Sequence, residues 1–259
     1  MPPKGHAVLS ASSSHRWLNC PPSARLCEAY EDKGSDYAAE GTDCHTLCEM
    51  RLKQALGIPT KDIIENLTWY NSEMEDCAEG YVTYVVELLE SAKQTCPDPV
   101  VCIEQKVDFS RWVQDGFGTA DCIVIADGVM DIVDYKHGKG VEVSAVGNPQ
   151  MRLYALGALE IFDGIYDIES VRMTIFQPRK GNISTDFIEK DALLEWADGE
   201  LSEKAKLAYE GRGEFHCGEW CRFCKAKAVC RERAKANLAL ARYDFESPAL
   251  LNGEEISDI

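Results

Sequence analysis

The chain predicts an α/β fold, a central mixed β-sheet flanked by helices, and three observations carry that reading. Between positions 101 and 136 three short apolar runs, 101–107, 119–126 and 129–136, read as consecutive strands. A stretch of helical periodicity, 72–93, precedes them, and a helix start at Asn148 followed by a further strand-like run from Val171 comes after. With 259 residues, 45% of them apolar and 9% aromatic, the chain can bury one substantial core, and no repeat or low-complexity linker divides it. We read one domain, 1–259: a helical amino-terminal part (1–100), a core (101–190), carboxy-terminal helices with a cysteine cluster (191–242) and an acidic tail (243–259).

Each element has its own signal. Ala78, Tyr81, Val82, Val85, Val86 and Leu89 recur at helical spacing and predict an amphipathic helix over 72–93. Asp127-Gly128 is a two-residue hairpin signal, because both residues tolerate positive φ. That turn pairs Ala126 with Val129 and, counted outward, sets Asp121 opposite Asp134, with Lys136 on Asp134's face. Opposed carboxylates repel unless a cation sits between them, so Asp121, Asp134 and Lys136 read as a metal-dependent hydrolytic site. Asn148 can cap a helix that Pro149 begins, which puts Gln150 and Tyr154, four apart, on one face. Val171-Arg-Met-Thr-Ile-Phe-Gln-Pro is a strand ended by Pro178. Positions 191–209 are helical, with Leu193, Leu194, Ala197, Leu201, Ala205 and Ala208 as the buried stripe and Gly199 as the weak point.

Twelve cysteines, no apolar amino-terminal signal stretch and no hydrophobic run of about 18 residues predict a cytoplasmic chain with reduced thiols and no membrane partner. Cys217, Cys221, Cys224 and Cys230 are then ligands before they are disulfides. Cys27, Cys44, Cys48, Cys77, Cys96, Cys102 and Cys122 lack metal spacing and read as small buried apolar residues. The net charge of −17 opposes DNA binding over the whole surface. From Cys221 to Arg242, however, seven basic residues (Arg222, Lys225, Lys227, Arg231, Arg233, Lys235, Arg242) face one acidic residue, Glu232. Arg222, Lys225, Lys227 and Arg231 are the candidate phosphate contacts.

The order Asp121, then Asp134-x-Lys136, then Gln150-x3-Tyr154 resembles the PD-(D/E)XK nuclease superfamily, and specifically its RecB-like branch. Gly41-Thr-Asp-Cys-His45 resembles the branch's Gly-Thr-x-x-His element, Glu104 its glutamate on the strand before Gly118-Thr-Ala-Asp121, and the segment from Ser10 to Cys20-Pro-Pro its amino-terminal Ser-x-(aromatic)-x-x-Cys-Pro element. The resemblance implies a restriction-endonuclease-like core and a Mg2+- or Mn2+-dependent deoxyribonuclease, an exonuclease of the kind found in phage and prophage recombination or CRISPR adaptation. In that scheme His45, Asp121, Asp134 and the Tyr135 carbonyl hold the ion, while Glu104, Lys136, Gln150 and Tyr154 complete the catalytic set. It implies a [4Fe-4S] cluster on Cys20, Cys221, Cys224 and Cys230, joining the two ends of the chain. DNA is the implied partner, with room for a recombination partner protein and for homo-oligomers. Three alternatives stay open: a Zn2+ site on Cys217, Cys221, Cys224 and Cys230, an inactive DNA-binding or assembly protein on a nuclease fold, and an iron-sulfur sensor.

Overall fold

The computed structural model describes residues 7–31 and 34–241. Two short helices, α1 (Ser14–Asn19) and α2 (Ser23–Glu28), open the chain. They lead to α3 (Asp36–Ala55), where the Ser35 side chain accepts the Ala38 amide as an N-cap. The predicted amphipathic helix is α4 (Ser72–Ala92), capped by Asn71, and it buries Met74, Cys77, Ala78, Tyr81, Val85 and Leu89. β1 (Val100–Asp108), β2 (Phe117–Ala126) and β3 (Val129–Tyr135) follow. α5 (Pro149–Phe162) then crosses to β4 (Ser170–Gln177), and β5 (Asn182–Glu189) completes the sheet. Among the described residues the five strands lie in the order β1-β2-β3-β4-β5, antiparallel except for the parallel β3–β4 pair that α5 connects.

The hairpin register follows from the turn. Asp127 (φ 47°) and Gly128 (φ 76°) both take positive φ, as a type I′ turn requires, and Ala126 pairs with Val129. The two faces of the sheet bury separate cores. One face packs Ile123, Ile125, Met130, Ile132 and Ile175 under α5, α1 and the carboxy-terminal helices. The other packs Cys122, Val124, Val133, Tyr135 and Phe176 under α3 and α4.

Two elements depart from the sequence reading. β5 has no counterpart among the expected strands, because its residues alternate between half-buried and exposed at a sheet edge, leaving Ile183 and Phe187 outward with no continuous apolar run to mark it. The helix expected over 191–209 is three pieces: α6 (Lys190–Trp196), a π turn at Ala197–Leu201 that contains Gly199, and α7 (Ser202–Glu210). The last helix, α8 (Arg231–Ala241), buries none of its residues. Arg242 and the acidic tail lie outside the described residues.

The first two helices dock on a helix late in the sequence. Trp17 is fully buried, its indole N–H donating to the Ser10 carbonyl at 3.0 Å. α1 and α2 pack on α7, where Arg25 donates through Nε to the Tyr209 carbonyl and its guanidinium lies 4.4 Å from that ring's centroid. Among the described residues no helix is long and apolar enough to cross a membrane.

Candidate active site

Asp121 lies where the ladders on both sides of β2 are interrupted. Towards β3 the regular pairing ends at Cys122 opposite Val133, and beyond it the Asp121 side chain takes over from the backbone: Oδ2 accepts the Tyr135 amide at 2.7 Å. Towards β1, pairing passes from Ile103 with Cys122 to Gln105 with Ala120, skipping Glu104 and Asp121. Glu104 takes φ 51°, a left-handed conformation that costs a residue with a Cβ roughly 1–3 kcal/mol. Such strain is held in place by its surroundings and concentrates at functional sites.

Three layers supply the side chains. From α3, His45 brings Nδ1 to 3.3 Å from Asp121 Oδ1. Ligand atoms of His45, Glu104 and Asp121 all lie within 4.8 Å of one another. From the end of β3, Lys136 Nζ sits 2.9 Å from Asp134 Oδ2 and donates to Gln150 Oε1 at 3.0 Å. From α5, Gln150 Nε2 donates to Asp134 Oδ1 at 3.1 Å and to the Tyr154 hydroxyl at 3.1 Å. The structure therefore brings Asp134, Lys136, Gln150 and Tyr154 into one hydrogen-bonded row beside the group of His45, Glu104 and Asp121. Tyr135 meets the site through its backbone. Its side chain points to the opposite face, where the hydroxyl lies 3.1 Å from Cys44 Sγ and 2.9 Å from His137 Nδ1.

The electrostatics ask for a cation. Burial, and then the charge of Asp121, pushes Glu104 up to about 7. Burial also raises Asp134, with Lys136 opposing and Asp121 adding to the rise. Asp121 is held down against its own burial by His45 and the Tyr135 amide, and His45 in turn is raised to about 9 because the Asp121 charge outweighs desolvation. Asp134 Oδ2 is buried, with Lys136 Nζ at 2.9 Å as its ion-pair partner. Two carboxylates and an imidazole whose donor atoms converge, with Asp134 beside them, fit a divalent cation of the Mg2+ or Mn2+ kind, since hard oxygen donors dominate and one nitrogen favours the transition metal.

Sequence reasoning missed Tyr81. Its ring is held edge-on by Tyr135 and Phe176, it is only 2% exposed, and its hydroxyl has no hydrogen-bond partner although the residue lines the cavity with His45, Glu104 and Asp121. Its place in an apolar helical stripe disguised it as core. Glu49, one turn after His45 on α3, lines the same cavity, a spacing readable in the sequence once His45 is chosen. Gly41, by contrast, lies in open space: a Cβ at that position would meet nothing within 4 Å, so packing does not dictate that glycine.

Cys48 lines the cavity of this site, while the cysteines expected as metal ligands gather away from it. Cys20, Cys221, Cys224 and Cys230 line one cavity between the start and the end of the chain. Cys217 is exposed and lies 3.9 Å, sulfur to sulfur, from Cys221. Cys27, expected to be only a small buried apolar residue, is buried but places its sulfur 3.6 Å from Cys224 Sγ. The hydrogen bond between them holds Cys27 down at about 5 and pushes Cys224 up. Thiols are the donor type that soft metals and iron-sulfur clusters take, but among the described residues no three of these sulfurs lie within 4.8 Å of one another. Arg222, Lys225, Lys227 and Arg231 are all exposed around it.

The chain belongs to the family described as "Protein of unknown function (DUF2800)", which it matches over residues 6–259. Among solved structures, one titled "Crystal structure of SSO0001" is similar at 14% identity and a TM-score of 0.30, over 73% of this chain and 95% of that one.

Proposed function

We propose that this protein is a Mg2+- or Mn2+-dependent deoxyribonuclease with a RecB-like PD-(D/E)XK site on a restriction-endonuclease-like core, acting as an exonuclease in phage or prophage recombination or DNA-end processing. The observation that carries the reading is the convergence of His45, Glu104 and Asp121 beside the row of Asp134, Lys136, Gln150 and Tyr154. His45, Glu104, Asp121, Asp134 and the Tyr135 carbonyl would hold the ion. When bound, it would polarise the scissile phosphodiester and lower the pKa of the attacking water. Lys136 stands where it can orient that water and offset the negative charge that grows on the phosphate. Gln150 fixes both Lys136 and Asp134, and Tyr154 fixes Gln150. Cys20, Cys221, Cys224 and Cys230 would hold a [4Fe-4S] cluster; burial of Cys20 and exposure of Cys217 favour this set over a local Zn2+ site.

End-labelled single- and double-stranded DNA, incubated with Mn2+, Mg2+ or chelator, tests the activity. Cleavage should require metal, and Asp134→Ala should abolish it with the fold intact. Lys136→Ala should lower turnover about 10²- to 10³-fold at unchanged DNA affinity. Metal-independent cleavage, or full activity in Asp134→Ala, overturns the site. Tight DNA binding with no cleavage under any metal selects the inactive binding protein instead.

A further inference from the structure

Between the amino-terminal element and the cysteine loop lies a cleft of about 500 Å3, apart from the row of Asp134, Lys136, Gln150 and Tyr154 and sharing Arg16 and Trp220 with the cysteine cavity. His15 and Arg16 line one wall, and Trp220, Phe223 and Lys225 line the other. Phe223 is 75% exposed and belongs to none of the buried clusters. The Arg222 guanidinium lies 5.8 Å from its ring centroid, and the Trp220 ring is held edge-on to His15 with centroids 5.9 Å apart. Arg16 is anchored by donating to the Ser23 carbonyl and hydroxyl at 2.8 and 2.9 Å. Glu28 also lines the cleft and Glu219 pairs with His15 at 3.3 Å, so the cationic groups Arg16, Lys225 and, over the Phe223 ring, Arg222 outnumber the acidic ones by three to two in a chain of net charge −17, with aromatic faces set among them.

That combination has a specific ligand chemistry. An anionic backbone is drawn to the cationic side chains, while flat aromatic groups spaced along it stack on the rings. An acidic peptide would satisfy the charges and leave Phe223 in water, and a duplex keeps its bases stacked on each other and out of reach. We infer that the cleft formed by His15, Arg16, Trp220, Phe223 and Lys225 binds single-stranded DNA, with a base stacked on Phe223 and neighbouring phosphates on Arg16, Arg222 and Lys225. The identity of the polymer as DNA rests on the nuclease reading above. The cleft itself does not.

The test is binding, measured without cleavage. The full-length chain in chelator is titrated by anisotropy with a labelled oligodeoxythymidine, the same strand with abasic sites in place of bases, a duplex, and an oligouridine. The thymidine strand should bind more tightly than the abasic strand, and Phe223→Ala should weaken it roughly 5- to 150-fold while leaving abasic binding unchanged. Phe223→Tyr should restore affinity, since a tyrosine ring also stacks. Equal affinity for thymidine and abasic strands, or Phe223→Ala without effect, overturns the stacking cleft. Tighter binding of the duplex overturns the single-strand assignment, and tighter binding of oligouridine overturns DNA. Because binding is read in chelator, a chain that never cleaves DNA but binds as described would remove the nuclease reading and keep the cleft.

Discussion

Replacing Gly118 with alanine should damage the hydrogen-bonded row of Asp134, Lys136, Gln150 and Tyr154 through a single methyl group. A Cβ at position 118 would stand 2.7 Å from Tyr154 Cε1, with Phe109 Cε1 at 3.7 Å behind. To restore an ordinary contact of 3.4 Å the ring must retreat by about 0.7 Å, and Tyr154, only 8% exposed, has packed neighbours to retreat into. Overpacking of this kind costs about 1–3 kcal/mol. Alanine in a strand recovers about 0.5–1 kcal/mol through the entropy glycine loses on folding, leaving a net loss of roughly 1–2 kcal/mol. At about 2–4 °C per kcal/mol for a chain of this size, the melting temperature should fall by several degrees. The same displacement moves the hydroxyl that holds Gln150, and through it Asp134 and Lys136, so turnover should fall by up to about 100-fold. A double-mutant cycle isolates the cause: in a Tyr154→Ala background, Gly118→Ala should become neutral or mildly stabilising. If Gly118→Ala costs nothing, or costs the same in both backgrounds, the steric argument is wrong.

Three more outcomes are expected. Saturating Mn2+ at about 100 times its Kd should add roughly 2.7 kcal/mol of stability to chelated protein, a rise of about 5–10 °C, and Glu104→Gln should remove most of it; an unchanged melting curve would exclude the ion site. Protein purified without oxygen should be brown with about four irons per chain, Cys20→Ala should bleach it as fully as Cys224→Ala, and Cys217→Ala should keep most of the colour. Retained metal in Cys20→Ala with loss in Cys217→Ala would select the local site. Glu73, hydrogen-bonded by Lys139 and Arg179, is held down at about 2. Its contribution to stability is present above the unfolded value near 4.5 and lost as pH falls towards 2, so the difference in melting temperature between native protein and Glu73→Gln should be constant above about pH 6 and shrink below 4.5. A difference that persists unchanged to pH 2 would show that the clasp does not depend on the carboxylate charge.

The local part of the site is readable from residues alone. Asp127-Gly128 fixes a turn, the turn fixes a register, and the register carries Asp121 and Asp134 to the same end of the hairpin. Asn148 and Pro149 start a helix, and helical periodicity then joins Gln150 to Tyr154. What the sequence hides is whatever depends on non-local packing. Glu104 looks like one residue of an ordinary strand, and its left-handed backbone arises only where β1 and β2 part around Asp121. Tyr81 sits in phase with a buried stripe, so periodicity assigns it to the core, and only three dimensions show that the residue lines the cavity with its hydroxyl buried and unpartnered. Cys27 has no spacing to mark it, because its neighbour Cys224 is 197 positions away. β5 escapes a reading by composition because an edge strand answers to the strand beside it more than to its own residues.

The docking of α2 on α7, and of Cys27 on Cys224, also sets a clock for biosynthesis. At about 5–20 residues per second, roughly 10–40 s separate the synthesis of Cys27 from that of Cys224. For most of that interval α2 has been made and the α7 surface it packs against has not. The sheet, whose strands are close neighbours in sequence apart from the α5 crossover, can pair in the meantime. α1 can dock on α5 as soon as that helix is made, whereas α2 is among the first parts translated and the last parts fixed, and any prosthetic group held between α2's end of the chain and the cysteine loop would be inserted after the sheet has taken shape.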